Sequence, residues 1–190
     1  MFAKAAFAVA VFAMSVAASA QVAAPVPLPS MVPPPAVAAN PANKLTLELS
    51  NGGSVTIQLR PDLAPNHVAR IQELVRRGFY NGLNFHRVVP GFMAQGGDPQ
   101  GTGQGGSELP DLKAEITPMP FLRGTLGAAR SQELDSANSQ FFIMFAPNPE
   151  LDNRYTVMGR VISGMDAVDK IAPGEPPAEP TKIVRARLGG

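Results

Sequence analysis

Leu45, Leu47 and Leu49 alternate with Thr46, Glu48 and Ser50, the two-residue period of a strand with one buried face. Asn51-Gly52-Gly53 supplies turn residues, and Val55, Ile57 and Leu59 resume the alternation, so the two runs predict a β-hairpin. Pro61 to Pro65 breaks the pattern. From Asn66 the period lengthens: Val68, Ile71, Leu74 and Val75 share one helical face, while Arg70, Glu73, Arg76 and Arg77 fall elsewhere. Pro65 suits the first turn of that helix and Gly78 its C-terminal stop. Beyond Tyr80, short apolar runs punctuated by Gly and Pro predict strands near Asn84–Val88, Phe92–Gly96, Thr125–Ala129, Gln140–Phe145, Thr156–Val161 and Lys182–Leu188. A short second helix is predicted at Met165–Ile171. Many short strands with two helices point to a mainly β fold, a closed or nearly closed antiparallel barrel capped by helices.

Composition adds domain organisation. Hydrophobic residues make up 45% of the 190-residue chain and charged residues 16%, which allows a core and argues against wholesale disorder. Prolines are unevenly spread, with seven between Pro25 and Pro41. Residues 21–43 carry Pro, Ala and Val with little charge and no periodicity, and read as an extended tether. The folded domain is therefore expected over residues 44–190. Ahead of the tether, Lys4 precedes an apolar stretch from Ala5 to about Ala18, closed by Ala18-Ser19-Ala20 before Gln21. This is the plan of a secretory signal peptide over residues 1–20 with cleavage after Ala20, and it predicts a periplasmic or secreted protein. The stretch is shorter than the roughly 20 residues that span a bilayer, so no membrane span is expected in the mature form. Retention of the segment as an N-terminal anchor is the alternative.

The chain has no cysteine, which excludes disulfides, thiolate catalysis, Cys-ligated metals and a lipid-modified cysteine. Residues 1–20 contain Lys4 and no other charge, so 15 basic side chains then face 15 acidic ones. Such a balance leaves no electrostatic footprint for nucleic acid or anionic lipid.

Two runs carry unusual chemistry. One is Asn84-Phe85-His86-Arg87-Val88-Val89-Pro90-Gly91-Phe92-Met93-Ala94-Gln95-Gly96-Gly97-Asp98-Pro99, followed by the glycine-rich Gly101 to Gly106. The other is Ser136-Ala137-Asn138-Ser139-Gln140-Phe141-Phe142-Ile143. Each sets hydrogen-bonding groups beside large apolar ones on short strands, and a buried Arg or Gln needs a partner. The first run resembles the cyclophilin signature FHRVIPGFMIQGGDP, from which Val89 and Ala94 depart mildly. The glycine-rich loop and the Ser139-Gln140-Phe141-Phe142 segment follow in the same order, so the resemblance covers about Lys44 to Leu188.

That resemblance implies an eight-stranded antiparallel β-barrel with two capping helices, prolyl isomerase activity on proline-containing polypeptides and no cofactor; a monomer is the separate expectation. It also implies roles for particular positions. Arg87 matches the catalytic arginine; Phe92, Met93, Phe142 and Leu151 match the apolar proline pocket. Gln95 and Gln140 match the polar groups beside it, Ala129 the backbone that holds the peptide, and Tyr155 an aromatic position. Glu150 stands where the family's drug-contacting tryptophan lies, which implies weak cyclosporin binding.

The chemistry has a physical basis of its own. Twisting a peptide bond destroys its resonance, with a barrier of about 18–20 kcal/mol. The twisted proline nitrogen regains a lone pair and becomes a hydrogen-bond acceptor. A guanidinium aimed at that nitrogen binds the twisted form better than the planar one, which is what catalysis requires. Arginine remains protonated at ordinary pH, so no proton is transferred. Apolar walls exclude water and strengthen the bond.

Other chemistries fit less well. His67 and His86 are the only histidines and have no acidic ligand at metal spacing, so a metal site is not expected. No GxSxG-like elbow is present. Gly101 to Gly106 fits GxGxxG formally, but Pro110 follows where a dinucleotide site needs a helix. Two further readings stay open: a non-catalytic proline-peptide binding module, and an anchored accessory subunit with the Pro-rich segment as spacer.

Overall fold

The computed structural model describes residues 29–189. The predicted hairpin forms from β1 (Lys44–Leu49) and β2 (Ser54–Leu59). Their register sets Leu45 opposite Ile57 and Leu47 opposite Val55, so the alternating apolar residues meet on one face. A short helix α1 (Pro35–Ala39) precedes the hairpin and α2 (Pro65–Arg76) follows it. After α2 come β3 (Phe85–Val89), β4 (Met93–Gly96), β5 (Thr125–Ala128), β6 (Phe141–Met144), β7 (Val157–Ser163), α3 (Met165–Asp169) and β8 (Ile183–Leu188).

All eight strands join one antiparallel sheet in the order β3-β4-β6-β5-β7-β2-β1-β8. The sheet is not the closed barrel expected from the sequence but a strongly curled half-barrel with β3 and β8 as its edges. Those edges touch through a single bridge, Asn84 to Lys182, and further along β3 the partner is not a strand but Gly174, opposite Val88. The cause lies in the α3–β8 connection, where Pro173, Pro176, Pro177 and Pro180 bring no N–H to a ladder.

The segment read as a tether also differs from expectation where it is described. Pro35–Ala39 is helical, Pro41–Asn43 forms a 3₁₀ turn, and Asn40 caps that turn by accepting from the Ala42 N–H at 3.0 Å. The domain holds this strap by side chains. Arg60, 5% exposed, donates to the Ser30 and Met31 carbonyls at 3.0 and 3.3 Å, and Gln72 donates to the Ala42 carbonyl at 2.9 Å. Gln58 on β2 reaches the Val37 carbonyl at 3.4 Å, and local periodicity cannot reveal an element whose partners lie on β2 and α2. The residues expected to form a signal peptide, and the part of the expected tether before Pro29, lie outside the described residues.

The main core fills the curl: Leu45, Leu47, Val55, Ile57, Phe85, Leu126, Phe141 and Ile143 pack against Val68, Ile71 and Leu74 of α2 and Val168 of α3. Helix α2 begins at Pro65 and ends before Gly78, whose φ of 71° is the left-handed stop read from the sequence. Its N-terminus has no capping side chain of its own. Glu115 reaches in instead, accepting from the Asn66 and His67 N–H groups at 3.1 and 3.0 Å and from His67 Nδ1 at 2.6 Å.

Two carboxylates make stability depend on pH. Burial raises the Glu115 pKa, but bonds from His67 and Asn66 outweigh it and hold the group below its ordinary 4.5. Burial likewise opposes, and the backbone N–H groups of Gln100, Gly103, Gly105 and Thr102 together reverse, the shift of Asp98, which lies below its ordinary 3.8. Stability from a depressed carboxyl is fully present above its unfolded pKa and is lost as pH falls through the folded one. Urea midpoints should therefore fall as pH is lowered from 5 into the acid range, and the Asp98→Asn variant, already weaker at pH 7, should fall less. An unchanged slope in that variant would remove Asp98 from the account.

Candidate active site

Strand register assembles the site. Arg87 on β3 pairs with Gln95 on β4, Gln95 with Phe142 on β6, and Phe142 with Gly127 on β5. Residues directly opposite each other share a face, so Arg87, Gln95 and Phe142 form one row on the sheet face away from the main core. Met93, two positions from Gln95, and Ala129, two beyond Gly127, join the same face. Gly127 leaves the space that Phe142 fills: a Cβ there would strike the Phe142 ring and lie 2.8 Å from Phe121 Cε1.

A second apolar cluster builds on this row. Met93, Phe142, Ala129, Met119, Phe121 and Val157 are buried together, with Phe92, Leu151 and Tyr155 packed at its margin. Phe121 stacks on Phe142 at 5.8 Å between centroids, and Tyr155 stands edge-on to Phe142 at 5.9 Å. Within the cluster opens a cavity of about 130 Å³ lined by Arg87, Phe92, Met93, Gln95, Ala129, Arg130, Phe142, Leu151 and Tyr155. Eight of the nine residues singled out from the sequence thus meet around one opening.

Gln140, the ninth, lies alongside. It donates to the Gly103 and Gly105 carbonyls at 2.9 and 2.8 Å and accepts from Gln95 Nε2 at 2.8 Å. One glutamine thereby fixes the glycine-rich loop and orients the other glutamine. Asp98, 1% exposed, anchors the same loop by accepting from the Gln100, Thr102 and Gly103 N–H groups. Gln140 and the loop line a larger cavity of about 610 Å³, which shares Gln95, Ala129 and Arg130 with the smaller one. A chain lying across the sheet face would pass from one cavity to the other.

Several residues here escaped the sequence reading. Arg130 places its guanidinium carbon 4.6 Å from the Tyr155 ring centre and donates to the Ser131, Gln132 and Arg154 carbonyls. Its place directly after Ala129 was the available signal. Phe121 and Met119 sit in a stretch without periodicity, and Glu175 in the proline-rich α3–β8 connection; its Oε2 accepts from Arg87 Nε at 2.6 Å. Glu150 is exposed on the 3₁₀ turn Pro149–Leu151 and does not line the smaller cavity. His86 sits where β3 bulges, with its ring beside Gly103 of the glycine-rich loop, and its burial lowers the ring pKa despite Asp98 nearby. Among the described residues no group of three or more His, Asp or Glu side chains is placed to hold a metal ion, and no helix is long and apolar enough to cross a membrane.

A curled antiparallel sheet with a guanidinium, two amides and an aromatic-walled slot on one face defines a peptide-handling β protein. The family profile "Cyclophilin type peptidyl-prolyl cis-trans isomerase/CLD" matches residues 44–188, and the chain belongs to that family. A Brucella suis protein named "Probable peptidyl-prolyl cis-trans isomerase" is 53% identical over 169 residues, covering 80% of this chain and 86% of its own. Peptidyl-prolyl cis-trans isomerase B of Bacillus subtilis is 40% identical over 129 residues, covering 67% of this chain and 89% of its own. Among solved structures, a Hirschia baltica cyclophilin aligns with a TM-score of 0.72 at 30% identity, over 78% of this chain and 74% of that one. A Cryptosporidium parvum cyclophilin solved in the presence of the dipeptide Ala-Pro aligns with a TM-score of 0.71 at 26% identity, over 77% of this chain and 99% of that one. The protein is a cyclophilin-type peptidyl-prolyl isomerase.

Proposed function

We propose that this isomerase acts on X-Pro bonds of exported proteins and catalyses without a covalent step. Arg87 donates to the prolyl nitrogen as the bond twists, while Phe92, Met93, Phe142 and Leu151 hold the ring. Gln95 and the Ala129 backbone hold the flanking peptide. The observation that carries this reading is that Arg87 lines one cavity of about 130 Å³ together with the side chains of Phe92, Met93, Phe142 and Leu151. A charged donor beside water-excluding walls acts on a developing lone pair far more strongly than it would in water.

Export rests on the N-terminal pattern of Lys4, the apolar run and Ala18-Ser19-Ala20. The folding role follows from rate: uncatalysed X-Pro exchange takes tens to hundreds of seconds, slow enough to limit folding. The test is a protease-coupled assay on an Ala-Pro peptide with N-terminal sequencing of the protein recovered from outside the cytoplasm. Acceleration together with a start at Gln21 is expected. A protein that binds the peptide without accelerating exchange is instead a binding module, and one that keeps Met1 is anchored.

A further inference from the structure

Val88 and Gly174 exchange backbone hydrogen bonds of 2.8 and 2.9 Å, an isolated antiparallel bridge on the free edge of β3. One step outward along such a bridge, Arg87 faces Glu175, and their side chains lie on the same face. The pairing depends on Gly174, whose φ of 142° and 2.5 Å approach of a would-be Cβ to Pro177 Cα leave no room for a side chain. The α3–β8 connection is thus shaped to bring one carboxylate to one guanidinium.

We propose that Glu175 is a positioning residue for Arg87. The proposal rests on the reading of Arg87 as the catalytic group and adds how that group is aimed. Glu175 takes the Nε–H at 2.6 Å, and among the described residues it is the hydrogen-bond partner that Arg87 has. A guanidinium carries five N–H bonds, so the four terminal ones stay available to the cavity that Arg87 lines. The Arg87 side chain is 41% exposed, and an arginine that free samples many rotamers. Holding it from the solvent side, through the one nitrogen not needed at the substrate, lowers the reorganisation required at the transition state without blocking the slot. Binding of the planar substrate is made mainly by the apolar walls, so the effect falls on turnover.

Exposed ion pairs are weak, so the expected change is about fivefold. Exchange of an Ala-Pro peptide on the saturated enzyme, measured by NMR exchange spectroscopy, should slow by about that factor in Glu175→Ala, with KM changed less than about twofold. Glu175→Gln keeps an acceptor oxygen for Nε–H and should recover most of the rate. In an Arg87→Ala background, Glu175→Ala should do nothing further, since the two act as one unit. An unchanged rate in Glu175→Ala, or the same loss with Arg87 absent, overturns the positioning role while the catalytic assignment stands. Full activity in Arg87→Ala alone overturns both.

Discussion

Arg87→Ala is expected to lower kcat/KM for an Ala-Pro peptide by about 10²- to 10³-fold, the scale seen when one preorganised transition-state donor is removed. The row Arg87–Gln95–Phe142 sets the guanidinium beside the apolar walls of the slot. Gln95 Nε2 is engaged by Gln140, and Arg130 donates to three backbone carbonyls. The loss should fall on kcat, because the walls that bind the planar ring are untouched. Arg87→Lys should recover only part of the rate, since an ammonium keeps the charge but not the planar fork. A side chain 41% exposed contributes little to folding, so thermal unfolding should stay within about 0.5 kcal/mol of wild type. Equal turnover of the two proteins would leave the fold intact and the mechanism wrong.

Phe142→Ala should be the most damaging change to the slot itself, costing about 3–5 kcal/mol of stability. For a domain of this size that is about 6–20 °C in Tm. Phe142 is 5% exposed, stacked on Phe121, edge-on to Tyr155, and seated in the space left by Gly127. No neighbour is free to fill the void, because Gly127 has no side chain and the Met93 and Phe121 side chains belong to the same packed cluster. Calorimetry measures the Tm, and the isomerase assay run well below it separates lost activity from lost fold. Phe142→Leu should retain more than half of the lost stability and part of the activity. A Tm within a few degrees of wild type in Phe142→Ala would show that the cluster is not packed as described.

The two predictions draw on different parts of the chain, and those parts were not equally legible in the sequence. Arg87, Phe92, Met93 and Gln95 lie within nine residues on one hairpin, so a single local run carries their relation. Helix α2 was legible for the same reason: its apolar positions and its Pro and Gly boundaries are all local. Phe121, Arg130 and Glu175 were not. Each reaches the site through contacts across long stretches of chain, 88 residues in the case of Arg87 and Glu175. The strap at Pro35–Asn43 was missed because Gln58 and Gln72, not its own periodicity, hold it in place.

By itself the amino-acid order determined which segments alternate, which is helical, and which short runs hold the chemical groups. These are properties of neighbours a few residues apart, set by backbone period and turn residues. The tertiary structure alone decided that the sheet stays a half-barrel, because prolines between α3 and β8 withhold the N–H groups a closing ladder needs. It also decided that the same connection delivers Glu175 to Arg87. Register across four strands, and one glycine beside Phe142, then turned a row of side chains into a cavity.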